Sequence, residues 1–179
     1  MGGGRGRAGQ TPLTVKTMLS EIPQPHPVLA ALEAWNPEAF SSWSAELGET
    51  LIWVLPEKIV DVCRYLRDEQ SFERLSGLTA IDRHPLEPRF EVLYLLHSIS
   101  RNIRLKLKVA LPGADPVLRS VTSVWEGANW YEREAFDLFG VRFEGHPNLQ
   151  RILLPENWEG HPLRRDFPVH GHKYSYQDE

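Results

Sequence analysis

Cysteine is almost absent: the chain has one in 179 residues, Cys63, so no internal disulfide can staple the fold, and a reducing, cytoplasmic setting is expected. Long apolar runs are missing too. No stretch reaches the roughly 18 to 20 residues that a membrane-spanning helix needs, and no secretory signal pattern opens the chain, so membrane association is expected only through partners or surface contact. Basic charge is not in excess either. Against 20 Lys and Arg stand 24 Asp and Glu, a formal charge of -4, which gives no electrostatic footprint for nucleic acid. Catalytic signatures are equally scarce: no Gly-x-Ser-x-Gly elbow, no phosphate-cradling Gly-Lys-Ser/Thr, no dinucleotide fingerprint, no cysteine cluster for iron and sulfur, and no HExxH. A self-contained redox or hydrolytic enzyme is therefore not expected.

What is present fits one domain with ends. Residues 1–24 read as a disordered or weakly ordered tail, Gly-rich and basic at first and then punctuated by prolines. Residues 25–145 read as a globular domain. Val28, Leu29, Leu32 and Trp35 recur at helical spacing until Asn36-Pro37 stops them. Ser42 to Leu47 and Thr50 to Leu55 then predict a hairpin turning at Gly48, its second strand apolar on both faces. After Pro56, the residues Ile59, Val60, Cys63 and Leu66 form one helical stripe, within which Cys63 reads as a buried hydrophobe rather than a reactive thiol.

A strand is expected after Gly77, in Leu78 to Asp82, followed by a hairpin of Phe90 to His97 with Ile103 to Val109. In the last strand Leu105, Leu107 and Val109 alternate with Arg104, Lys106 and Lys108. That cationic row is either a solvated face or the seat of an acidic partner or anionic surface. Mixed elements without regular βαβα alternation predict an α+β fold: a two-layer sandwich of a mixed sheet of about five strands with helices on one face, plus an extended C-terminal strap.

The densest chemistry lies between Ser123 and Pro168. Ser123 with Glu126 predicts a capping box and a helix from about Val124 to Gly140. Its core stripe would be Val124, Ala128, Tyr131, Ala135, Leu138 and Phe139. Arg133 and Asp137 would then face solvent as a pair worth about 0.3–0.5 kcal/mol. Glu132 falls on the flank of that stripe, where a partly buried carboxylate needs a partner. Arg142, Arg151, Arg164 and Arg165 are the candidates, so the final segment is expected to fold back over the helix.

Catalysis finds little support in this stretch. Glu132 and Glu134 point to different sides of a helix and cannot easily share one substrate atom. Glu144, His146, His161, His170 and His172 are metal-ligand types without metal-ligand spacing, and the pairs His146-Pro147 and His161-Pro162 read as turns or ligands. A free-standing metal-dependent hydrolase is the alternative of another class. The aromatics Trp125, Trp130, Tyr131, Trp158 and Phe167, set among arginines, have the composition of a protein interface, and residues 146–179 read as an extended partner-binding segment.

Three runs carry a family resemblance: Glu132-Arg133-Glu134-Ala135-Phe136-Asp137-Leu138-Phe139-Gly140, then Phe143 to Pro147, then Arg151-Ile152-Leu153 with Pro162-Leu163-Arg164-Arg165-Asp166-Phe167-Pro168. They closely resemble the 30 kDa subunit family of respiratory complex I, which in bacteria is the C subunit of NADH-quinone oxidoreductase. The resemblance extends more loosely back to about Thr50. It implies a cofactor-free structural and assembly subunit of the peripheral arm, on the cytoplasmic face of the bacterial inner membrane. The quinone-site large subunit and the adjacent iron-sulfur subunit would be its neighbours, and FMN, iron-sulfur clusters and quinone would sit in partner subunits. The whole complex passes electrons from NADH to quinone and couples this to proton translocation. Glu132, Arg133, Glu134, Asp137, His146, Arg151, Arg164, Arg165 and Asp166 match motif positions, none of them catalytic. Gln150 stands where relatives often carry a basic residue, and the chain stops soon after Tyr176. The runner-up within this architecture is the equivalent subunit of a ferredoxin-dependent dehydrogenase or membrane-bound hydrogenase.

Overall fold

The computed structural model describes residues 26–46 and 49–168. Expectations for residues 1–24, for Gly48 and for His170, His172 and Tyr176 lie outside them. Helix α1 (Pro27–Trp35) starts with proline, whose missing N–H costs nothing in a first turn, and His26 Nδ1 accepts from the Val28 N–H. It buries Val28, Leu29 and Leu32. Trp35 stays exposed and stacks on Tyr65, with ring centroids 4.5 Å apart.

Strands β1 (Phe40–Glu46) and β2 (Glu49–Val54) pair antiparallel. One 3-10 turn at Pro56–Lys58 leads into α2 (Ile59–Asp68), which buries Ile59, Val60, Val62, Cys63 and Leu66. The strands β3 (Arg74–Asp82), β4 (Phe90–Ser98) and β5 (Ile103–Leu111) follow. β3 starts three residues before Gly77, because a bulge between Leu75 and Gly77 lets the ladder with β4 continue. Sheet order is β1-β2-β5-β4-β3, with β2 parallel to β5 and the other neighbours antiparallel. This is the mixed, five-stranded α+β sheet that the sequence predicts.

Period-two alternation gives the sheet two unlike faces. Ile52, Val54, Leu78, Ala80, Phe90, Val92, Tyr94, Leu96, Leu105, Leu107 and Val109 join the helices in one buried core. Burying a leucine-sized side chain contributes roughly 1.5–3 kcal/mol, so this layer dominates stability. On the other face Leu51, Trp53, Leu93 and Leu95 are only half-buried. β2 is thus dry on one face, not on both.

After the turn at 112–116, β6 (Val117–Arg119) pairs in parallel with β7 (Arg142–Glu144), a small second sheet that hydrophobic periodicity does not announce. Between them lies α3 (Ala128–Phe139), which starts four residues later than the expected Val124. The capping box does not form: Gly127 holds the N-cap position with no side-chain cap bond. Instead the Val124 and Trp125 N–H groups both donate to the Val121 carbonyl. Trp125 is the reason. Its ring is buried and its indole N–H donates to the Phe72 carbonyl at 3.2 Å, and tertiary burial of this size overrides a local cap preference. Gly140, at φ 75°, ends α3 as expected.

Candidate functional site

α3 carries two carboxylates that solvent does not reach: Glu132 and Asp137 are both 0% exposed. Five residues apart, they point about 140° away from each other around the helix. Each therefore meets different company.

Glu132 faces the segment before α3. Its Oε2 accepts from Ser120 Oγ at 2.7 Å and its Oε1 from the Val121 N–H at 2.7 Å. None of Arg142, Arg151, Arg164 and Arg165 reaches it, and it is fully rather than partly buried, which corrects the expected arginine pin. Burial pushes its pKa up to about 7, since the two donors recover only part of the lost hydration. Cys63 and Tyr94 share this pocket. Burial raises both of their pKa values, and the Glu132 charge adds to each.

Asp137 faces the strap, residues 146–168, which crosses the C-terminal half of α3 without a regular element of its own. Its Oδ2 accepts from three successive N–H groups, those of Ile152, Leu153 and Leu154, at 3.0, 2.8 and 2.9 Å. Its Oδ1 takes Arg151 Nη1 at 2.7 Å. Burial alone would raise this carboxyl, but the Leu154 N–H, Arg151 and the Ile152 and Leu153 N–H groups together hold it below its ordinary value. The expected exposed Arg133–Asp137 pair is therefore absent. Arg133 donates instead to the Gln150 and Arg151 carbonyls at 3.1 and 3.2 Å, and lies 5.3 Å from the Trp130 ring centre. Gln150 thus contributes through its backbone.

The strap also caps α3. The last carbonyls of a helix lack intrahelical donors. Here the Asp137 carbonyl accepts from His161 Nδ1 at 2.9 Å, the Leu138 carbonyl from the Leu163 N–H at 3.1 Å, and the Phe139 carbonyl from Arg164 Nε at 2.6 Å. A Cβ at Gly140 would collide with Arg164 and His161. Arg151 Nη2 braces the strap internally by donating to the Trp158 and Gly160 carbonyls at 3.0 and 3.1 Å.

The far end of the strap is tied to the β3–β4 connection. Arg89 bridges Asp82 at 2.8 Å and Asp166 at 2.7 Å, and the Arg165 N–H donates to Asp82 Oδ2 at 2.8 Å. Burial opposes ionisation of Asp82, yet Arg89 and the His84 and Arg165 N–H groups hold its pKa far below the ordinary range. Arg142 pairs with Asp115 at 2.6 Å, away from α3.

The remaining candidates scatter. His146 donates from Nε2 to the Asn129 carbonyl and accepts the Asn148 N–H at Nδ1, so both ring nitrogens are engaged in a turn. Burial lowers its pKa, consistent with the neutral ring. Glu134 and Glu144 are exposed, and among the described residues no three His, Cys, Asp or Glu side chains converge on a metal-sized site. The aromatics divide as well: Trp125 is buried and Tyr131 donates to the Ser76 carbonyl, whereas Trp130 is 61% exposed and Trp158 and Phe167 are half-buried. The exposed side chains Trp130, Leu153 and Leu163 mark the outer surface of the junction.

Four partners escaped sequence reasoning: Ser120, Val121, Asp82 and Arg89. Arg89 meets Asp166 across 77 positions of chain, which no local pattern could reveal. The sequence did point to the final segment folding back on the helix and to Arg151 meeting a helix carboxylate, but that carboxylate is Asp137 and not Glu132.

Together these contacts make a clasp between α3 and the strap. Its charged groups are spent on backbone donors, backbone carbonyls and one another. Residues 52–173 match the family described as respiratory-chain NADH dehydrogenase, 30 Kd subunit. The C subunit of NADH-quinone oxidoreductase from Roseiflexus castenholzii is 49% identical over 144 residues, covering 79% of this chain and 83% of that protein. The protein of the same name from Geobacter sulfurreducens is 46% identical, covering 69% and 77%. Among solved structures, a trypsin-resistant fragment of Nqo5 superposes with a TM-score of 0.61 at 30% identity, covering 68% of this chain and 98% of the fragment. A chain of the membrane-bound sulfane sulfur reductase, an archaeal respiratory membrane complex, superposes at 0.69 with 25% identity, covering 79% and 84%.

Proposed function

This chain belongs to the respiratory-chain NADH dehydrogenase 30 Kd subunit family, and from that premise we propose that it is a cofactor-free structural and assembly subunit in the peripheral arm of an NADH-quinone oxidoreductase. The complex would pass electrons from NADH to quinone and couple this to proton translocation, with FMN, iron-sulfur clusters and quinone held by other subunits. The identity of 46–49% to proteins named as the C subunit of NADH-quinone oxidoreductase carries the reading. Likeness to the archaeal reductase is weaker, at 25%, so the equivalent subunit of a related complex is not favoured.

In this reading residues 25–145 form the domain, and residues 146–179 are the partner-binding segment. The clasp on α3 supports it: the strap reaches its partner already shaped, so little ordering entropy is lost on docking, and Trp130, Leu153 and Leu163 stand outward as anchors. The partners are the quinone-site large subunit and the adjacent iron-sulfur subunit. A relative in Methylococcus capsulatus is named as a joint C/D subunit of NADH-quinone oxidoreductase, and this chain covers 26% of it. Two subunits sharing one polypeptide there fit close docking of the two here. No helix among the described residues is long and apolar enough to cross a membrane. In this reading the chain attaches through the complex, on the cytoplasmic side of the inner membrane.

Purification of the tagged full-length chain from membranes in mild detergent tests the reading. Recovery with the quinone-site large subunit, the iron-sulfur subunits and NADH:quinone activity is expected. Recovery without them would sink it.

A further inference from the structure

The apolar sides of α1, α2 and α3 join one core, and among the described residues no helix covers the opposite face of the five-stranded sheet. Pairing registers arrange that face in rows across the strands. One row holds Leu95, Lys106 and Leu51, and the next holds Leu93, Lys108 and Trp53. The cations in these two rows have local carboxylate partners: Lys106 pairs with Glu49, while Lys108 and Arg83 both meet Glu91 at 2.9 Å. Lys108 also lies 5.0 Å from the Trp53 ring centre.

The end row differs. Arg74, His97 and Arg104 are direct cross-strand neighbours on β3, β4 and β5. Among the described residues Arg74 and Arg104 are exposed with neither an ion pair nor a hydrogen bond, and His97 Nε2 is buried without a partner. By strand register the face sets Arg74, Arg104, Lys106 and Lys108, with Arg83 at its edge, against Glu46, Glu49 and Glu91, on a chain whose net charge is -4. Beside the end row a trough of about 450 Å³ is lined by Glu49, Ser76, Leu93, Leu95, Arg104 and Lys106, among others. It crosses from β2 to β3, three strand spacings or roughly 14 Å, wide enough for one helix or extended segment.

We propose that this open face is a second docking surface, and that it receives an acidic segment of a neighbouring subunit. The carboxylates of that segment would meet Arg74, His97 and Arg104, and its apolar side chains would cover Leu93 and Leu95. Charge complementarity favours an acidic occupant. A second copy of this chain would bring the same cations face to face. The segment of residues 1–25 carries Arg5, Arg7 and Lys16 against Glu21 alone, the wrong sign for the row. An anionic membrane surface would not fill a trough floored by leucine. The inference rests on the chain being a subunit of a larger oxidoreductase and adds a surface distinct from the strap.

The test uses the assembled complex in mild detergent, with a photoreactive phenylalanine placed at Leu95 in one preparation and at Leu153 in another. Cross-linking from Leu95 into an acidic segment of another subunit is the expected result. Arg74→Glu with Arg104→Glu should then lower that cross-link and the recovery of the chain with the complex by about tenfold, and Lys substitutions in the captured segment should restore both. A cross-link from Leu95 only to this chain, to a second copy or to lipid overturns the proposal, and so does no cross-link together with wild-type assembly of the double variant. A cross-link from Leu153 in those circumstances leaves the subunit reading standing. None from either position removes both.

Discussion

Two buried carboxylates on one helix behave in opposite ways, and the difference lies in who donates to them. Around Glu132 there are two donors, one of them a serine hydroxyl, and a wall of apolar groups, so desolvation wins and the carboxyl is held up to about 7. Asp137 is equally closed to solvent but lies less deep, and around it three backbone N–H groups and a guanidinium converge, so the charged form wins. The first region is part of the domain's core and the second is a clasp for the strap. Depth of burial sets how far a carboxyl is pushed up, and the count and kind of donors set how much of that is recovered.

The sharpest way to break this comparison is Asp137→Ala. It would strand Arg151, only 15% exposed, together with three N–H groups, at an expected cost of about 3–5 kcal/mol. The loss should be local. Hydrogen exchange at residues 152–154 and proteolysis within 146–168 should rise steeply while the sheet amides stay protected, and unchanged strap protection would refute the clasp.

Next comes pH. The Glu132 carboxyl binds its proton more tightly folded than unfolded, so stability is full below about 4.5 and falls as pH rises to about 7, by roughly 3 kcal/mol in total. Glu132→Gln can keep the Val121 bond and donate to Ser120, so denaturant titrations should show that slope removed. Asp137 has the opposite signature, its contribution being lost as pH falls through and below the ordinary carboxylate range. A wild-type slope in Glu132→Gln would assign the dependence elsewhere.

Gly140→Ala should cost about 1–2 kcal/mol for the left-handed backbone, and more if Arg164 and His161 must move away from the new methyl group. Its melting curve and strap proteolysis should change together. The smallest effect is expected of Ser123→Ala. A working N-cap would lose about 1 kcal/mol, but α3 starts at Ala128, so a shift within about 0.5 kcal/mol is expected for a surface change.

The sheet was readable because its signals are local. Alternation along Ile103 to Val109 and the apolar run of Phe90 to His97 each sit inside one strand, and β4 and β5 follow them. The late start of α3 was not readable, since it depends on Trp125 reaching Phe72, 53 positions back in the chain. The clasp was readable in part: the fold-back and an arginine on a helix carboxylate were expected, the pairing of Arg151 with Asp137 was not. That Glu132 needs a partner follows from its place on the helix, but choosing Ser120 over an arginine requires knowing that β6 delivers Ser120 and Val121 to that spot. The Arg133–Asp137 spacing was a sound helical pair that lost to a better one, because Arg151 comes with three amides.

Cys63 gives the comparison its own clock. It is the chain's one thiol, it lies in the core with burial raising its pKa, and a reagent can modify it only when that core opens. The labelling rate therefore counts openings of the domain and ignores the strap. Releasing the clasp should leave the rate untouched, whereas loosening the Glu132 pocket should quicken it, so one sulfur atom distinguishes damage to the body from damage to the arm.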